Sequence, residues 1–239
     1  MRKKRRYRGF SLTEVLLAVG TLAIGMIFIG GTFLVGIHFT TIATERTIAA
    51  VAADEAFAKI RLYGVNLADP NLVVNELTQF EVLNPIAEDE FAYPSTKSSA
   101  AKQYYWSALC RPVHSDPNNR LVQVTVFVGR KVGSGTKYQG SAVNRPVPMR
   151  VDVAGTLGSD VLTIEEPDKR TWINDGCTVV DDQTGQLYRV LRRDVDVPNI
   201  IVLDRVWDSD LTGSVWVVPP PIGGGRYPCV AIYQKVIRF

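Results

Sequence analysis

The sequence predicts an α+β protein: a long N-terminal helix, half in a membrane and half outside it, packed on an antiparallel sheet and followed by a β-rich C-terminal domain. Three observations predict it. Val15 to Ile37 is a run of 23 residues without a formal charge, enough helix to cross a hydrocarbon core of about 30 Å. His38 to Tyr63 continues with no Pro or Gly and with frequent Ala, Glu, Arg and Lys, all compatible with helix. Beyond residue 100, short alternating apolar and β-branched runs recur between turn signals.

The helix is expected over residues 10–63, with its membrane part at about 14–37. Ala49, Ala52, Ala53, Ala56, Phe57 and Ile60 recur at helical spacing and define one face. Asp54 and Arg61 fall opposite, and Glu55 with Lys59 forms an i,i+4 pair. Gly64 follows as the C′ residue. Gly20, Gly25, Gly30, Gly31 and Gly36 suit a membrane helix, where small residues admit close neighbours. They contain no strict G-x-x-x-G, so both plain packing and local softening account for them.

Residues 64–132 form the next predicted unit. It begins irregularly, with Pro70, Pro85 and Pro94, and then carries two strands, Tyr104 to Arg111 and Leu121 to Lys131. The second contains LVQVTVFV, which alternates apolar and polar residues. His114 to Asn119 has turn composition. Residues 133–150 read as a linker, Gly133 to Pro148 holding Gly, Ser, Asn and Pro. Residues 151–239 are the expected C-terminal β domain, a small barrel or sandwich. Its strands are expected at Val161–Glu165, Thr178–Asp181, Leu187–Arg192, Ile200–Val206, Val215–Val218 and Val230–Phe239.

Charge is concentrated at the start. Arg2, Lys3, Lys4, Arg5, Arg6 and Arg8 supply six of the 27 basic residues, against 24 acidic ones and a net charge of +3. Removing those six leaves 21 basic against 24 acidic residues, a net −3. The basic balance therefore belongs to the leader and argues for topology, holding that end in the cytoplasm, rather than for nucleic-acid binding. A secretory signal would have a shorter apolar core followed by a small-residue cleavage site. Here a Gly-Phe junction, Gly9-Phe10, precedes the apolar run, and one acid, Glu14, lies just inside it. An unpaired carboxylate is costly at that depth and calls for a partner.

The segment G-F-S-L-T-E, Gly9 to Glu14, closely resembles the prepilin cleavage motif of type IV pilins and type II secretion pseudopilins. The resemblance implies cleavage after Gly9 by a membrane aspartyl prepilin peptidase and N-methylation of Phe10. It also implies a role for Glu14, the fifth mature residue, in processing and assembly. It covers about the first 55 residues strongly and the remainder loosely. ADEAFAKIRL, YYWSALCRPV and LVQVTVFV further resemble V-type minor pilins and I-type pseudopilins. The implied partners are the peptidase, other pilin or pseudopilin subunits, an inner-membrane assembly platform and membrane lipid. The implied location is the inner membrane, single-pass, with the N-terminus cytoplasmic and the C-terminal domain outside, then an envelope or cell-surface filament. In a bundle of such helices Glu14 would be neutralised by the terminal amine of a neighbouring Phe10. The C-terminal domain departs from compact pseudopilins, and a membrane-tethered binding module is the alternative function.

Nothing else in the sequence carries catalysis. Only two histidines occur, His38 at the membrane edge and His114 in a turn, and no serine lies in G-x-S-x-G. No zinc spacing is present, and no cofactor is expected. Asp181-Asp182 and Asp208-Ser-Asp210 offer carboxylates of the kind calcium uses, but without EF-hand spacing they read as solvated turns. Gly223–Gly225 follows Pro219–Pro221 and opens no helix, so it is a turn rather than a phosphate cradle. The tryptophans read as core. Of Cys110, Cys177 and Cys229, the last two share the C-terminal segment and are the candidate disulfide, with three buried free thiols as the alternative.

Overall fold

The computed structural model describes residues 11–96, 102–116, 119–133, 135–209 and 211–239. The chain is α+β and divides into two compact units, the first running to Glu45 and the second spanning Arg46–Phe239. Helix α1, Leu12–Tyr63, contributes to both. Its 52 residues correspond to about 78 Å of helix. Gly64 ends it with φ of +76° while its N–H still reaches the Ile60 carbonyl at 2.9 Å, the left-handed C′ geometry that favours glycine.

In the second unit, the buried face of α1 consists of Ala49, Ala52, Ala53, Ala56, Phe57 and Ile60, the stripe read from the spacing. It shares one core with Trp106, Val122, Val124, Val126 and Val128 of an antiparallel sheet. Alanine lets the helix sit close to the strands, while burying Phe57 and Ile60 contributes about 1.5–3 kcal/mol each. The sheet runs β1 (Thr78–Gln79), β3 (Tyr104–Pro112), β4 (Leu121–Arg130), β11 (Cys229–Arg238), with β2 (Ala92–Tyr93) also on β3. A short helix α2, Phe80–Leu83, and a 3₁₀ turn, Glu88–Phe91, cover Trp106 from the side, Phe91 lying 4.9 Å from the indole.

Between β4 and β11 the chain builds a closed six-stranded antiparallel barrel. Its strands are β5 (Met149–Gly155), β6 (Val161–Ile164), β7 (Thr178–Asp181), β8 (Leu187–Arg193), β9 (Ile200–Leu203) and β10 (Thr212–Val217), in the order β10-β5-β6-β9-β8-β7. β10 closes it by pairing with both β5 and β7. The interior is filled by side chains, Trp207 and Tyr188 among them with ring centroids 5.0 Å apart.

This topology corrects the division expected from the sequence. Residues 151–239 do not form one domain: β11 pairs along its length with β4 and belongs to the first sheet. The barrel is an insertion within the β4–β11 pair, its two ends brought together where the Arg130 N–H meets the Pro228 carbonyl at 2.9 Å. The expected linker, 133–150, is packed in part: Tyr138, Arg145 and Val147 are buried, and Met149 and Arg150 already lie in β5. β4, read from the sequence as alternating apolar and polar residues, buries residues on both faces, because α1 covers one side and the barrel the other, and Thr125 is fully enclosed, accepting a hydrogen bond from Gln234.

Candidate functional site

The sequence directs attention first to the start of the apolar helix. Leader residues Arg2, Lys3, Lys4, Arg5, Arg6 and Arg8 and the junction Gly9-Phe10 lie outside the described residues. Glu14 lies in the first turn of α1, where its N–H and that of Val15 both reach the Ser11 carbonyl, at 3.0 and 3.2 Å. A carboxylate there also complements the positive end of the helix dipole.

From Val15 to Ile37 the helix surface carries no formal charge and is uncovered within the chain. Leu16, Leu22, Ile27, Phe28, Phe33 and Leu34 are all exposed, far more contiguous apolar area than a water-soluble surface carries. The helix is long and apolar enough to cross a membrane. Its hydroxyls are satisfied internally, Thr21 on the Ala18 carbonyl at 3.0 Å and Thr32 on that of Phe28 at 2.8 Å. A Cβ added at Gly20, Gly25, Gly30, Gly31 or Gly36 would meet no atom of this chain within 4 Å. Glu14 is therefore the one formally charged side chain from Leu12 to Ile37.

The three cysteines are free thiols. Cys110 lies in the core beneath α1, Cys177 in the barrel core, and Cys229 on β11 against the contact between barrel and sheet. Burial pushes each up to about 12, and Cys177 adds to the effect at Cys229. Tyr227 is raised by burial first and then by Cys177 and Cys229. Thiols held protonated in this way are poor nucleophiles. Neither histidine side chain has a hydrogen bond or ion pair among the described residues, and no group of three or more His, Cys, Asp or Glu placed to hold a metal occurs among them.

The acidic turn residues serve the fold. The Asp181 carboxylate accepts the Thr184 N–H at 2.9 Å and its hydroxyl, closing the β7–β8 turn. Asp182 is buried, accepting the Leu77 N–H at 3.0 Å and the Trp216 indole N–H at 2.6 Å, with Arg150 3.4 Å away. Burial raises its carboxyl above the usual range, opposed by those hydrogen bonds and by Arg150. Asp182 thus ties the segment before β1 to β10 of the barrel. Asp208 and its neighbours lie in the β9–β10 connection, and Asp210 lies outside the described residues.

Arg145, which no sequence pattern singles out, is a heavily engaged polar side chain among the described residues. It is 1% exposed. Its Nε lies 2.9 Å from Glu88, one Nη is 2.5 Å from the Ser107 hydroxyl, the other binds Glu81, and the guanidinium lies 4.0 Å over the Phe91 ring. This network fastens the chain entering the barrel to α2, the 3₁₀ turn and β3. The four tryptophans are buried: Trp106 under α1, Trp172 and Trp207 in the barrel, Trp216 where barrel meets sheet.

No family model, curated protein or solved structure matches the chain.

Proposed function

We propose that this chain is a structural subunit, a minor pilin or pseudopilin, of a type IV pilus or a type II secretion-like envelope filament. The observation that carries the reading is the N-terminal combination: six basic residues, Gly9-Phe10, and then an apolar run whose single charge is Glu14. A simple membrane anchor has no use for that acid. The exposed apolar helix surface and its unobstructed glycines support a bundle of such helices, in which neighbours supply the contacts this chain lacks. Within the bundle, Glu14 pairs with the terminal amine of a neighbouring Phe10 and sets axial register, while the apolar side chains supply most of the contact. A barrel on every bulk subunit would have to be accommodated throughout a filament, which favours a minor subunit. The chain acts by assembly, with no catalysis of its own.

Intact-mass measurement of the membrane-extracted protein tests this reading. The expected species lacks residues 1–9 and carries an N-methyl group on Phe10, and Gly9→Leu leaves the full-length form. Native protein that retains Met1–Gly9 in peptidase-competent cells sinks the proposal.

A second reading makes the barrel a binding module mounted on a pilin-like stem. It is favoured by Leu157, Val206 and Leu211, which are exposed on adjoining connections at one end of the barrel. Replacing residues 132–227 by a short turn separates the two: a structural subunit is still incorporated, whereas a pure binding module loses its function.

A further inference from the structure

Among the described residues one sheet edge is left open. The barrel closes on itself, so it has none. The outer edge of β3 is flanked by the two-residue strands β1 and β2. β11, at the other end of the sheet, pairs among the described residues with β4 alone and runs ten residues without proline.

The register shows which of its backbone groups are already bonded. Phe239 donates its N–H to the Arg120 carbonyl at 2.9 Å, and bonded positions alternate along an antiparallel strand. Ala231, Tyr233, Lys235 and Ile237 therefore bond to β4, opposite Val128, Val126, Val124 and Val122. The pairing of β3 with β4 agrees, because the Val113 N–H to the Leu121 carbonyl assigns the odd residues of β4 to β3 and leaves the even ones for β11. The N–H and C=O groups of Ile232, Gln234, Val236 and Arg238 consequently point away from the sheet. None of the four has a further backbone partner among the described residues.

Open edges are usually defended by proline, short length or an inward charge. Here Lys235 is drawn onto the helix face of the sheet, 2.8 Å from Asp54 and 4.5 Å from the Phe57 ring centroid, where its charge is matched. The bulge between Cys229 and Ala231 twists only the first end of the strand. Val236, in the open half, is 57% exposed.

The geometry points to β11 as the docking edge for an extended segment of another polypeptide, which adds as a strand beside Ile232–Arg238. Outward N–H and C=O groups in regular alternation are matched by a strand backbone. Val236 takes an apolar side chain, and Arg238, exposed and without an ion pair among the described residues, takes an acidic one. A second copy is a poorer occupant. The antiparallel register that pairs all four outward residues is centred on Lys235 and sets two like charges opposite each other. The inference holds whether or not the chain enters a filament.

Val236→Pro tests it, because it deletes one outward N–H and leaves every bond to β4 in place, a change edge strands tolerate. Val236→Thr keeps the N–H. The full chain is extracted in detergent from the cells that make it and sized by chromatography with light scattering. Wild type and Val236→Thr are expected in a hetero-complex, and Val236→Pro as a monomer with an unchanged unfolding temperature. Should Val236→Pro fail to fold, amide exchange of the wild type decides. The Ile232, Gln234, Val236 and Arg238 amides are then at least about tenfold slower in the complex than in the free chain, while those of Tyr233, Lys235 and Ile237 are slow in both. A monomeric wild type, a complex that survives Val236→Pro, a complex of this chain alone, or outward amides equally fast in both states overturns the proposal.

Discussion

The Asp182 carboxylate accepts the Trp216 indole N–H at 2.6 Å, and the same oxygen accepts the backbone N–H of Leu77. One buried acid therefore joins barrel to sheet, inside an apolar contact made by Leu77, Leu109, Phe127, Val180, Trp216 and Val218. The carboxylate is desolvated to do this, and the folded protein holds its proton more tightly than the unfolded chain does. By linkage, the stability it contributes is present below the ordinary carboxylate pKa and lost as pH rises through the raised folded value.

Asp182→Asn keeps an oxygen acceptor for both donors and removes the buried charge. The variant is expected to match or exceed wild-type stability at neutral pH and to have a flatter dependence on pH above the acidic range. Asp182→Ala leaves the Leu77 N–H and the indole N–H without that acceptor and is expected to cost about 3 kcal/mol. Urea unfolding of the detergent-solubilised chain, followed by tryptophan emission across pH, checks both. An Asn variant much weaker than wild type at neutral pH would show that the charge itself is needed.

Arg145→Ala removes the common partner of Glu81, Glu88 and Ser107, leaving a half-buried Glu81 without its counter-ion. A loss of about 3–5 kcal/mol is expected. Arg145→Lys should recover little of it, because an ammonium cannot reproduce a planar fork that reaches three groups and stacks on Phe91. The same unfolding assay measures both, and full rescue by lysine would reduce the network to simple charge neutralisation.

The barrel should be separable only at its structural boundaries. A fragment of residues 136–222 contains all of β5 to β10 and the Tyr138–Pro221 bridge. It is expected to unfold cooperatively with a β-type circular dichroism spectrum. Residues 151–239 lack Met149 and Arg150, which pair with Val217 and Trp216, and carry β11 without β4. That fragment is expected to aggregate. Equal behaviour of the two would mean that these pairings contribute little.

Glu14→Ala is expected to insert in the membrane at least as well as wild type, since an acid within the apolar run opposes insertion. On the proposed pairing with a neighbour's amine, it should lose most of its incorporation into filaments when co-expressed with the wild-type chain. Quantifying both forms in purified filaments gives the result, and equal incorporation would remove Glu14 from the assembly mechanism.

The sequence by itself determined what depends on near neighbours along the chain. The buried face of α1 follows from the 3.6-residue repeat of Ala49 to Ile60, its end from Gly64, and the membrane-length stretch from 23 uncharged residues in succession. Most strands of the sheet and barrel were legible for the same reason, since alternation is a property of consecutive residues. Only the tertiary structure decided which strands pair. Val230–Phe239 has the same period-two pattern as the barrel strands, yet it returns to β4 across the whole inserted barrel. Nothing local distinguishes the two pairings, because pairing is selected by what each face buries once the chain has closed. Arg145 and Asp182 show the same limit: an arginine before a proline and an aspartate in a turn read as solvated. They are buried because residues distant in sequence, Glu81 and Glu88 for one, Leu77 and Trp216 for the other, supply the bonds that make burial tolerable.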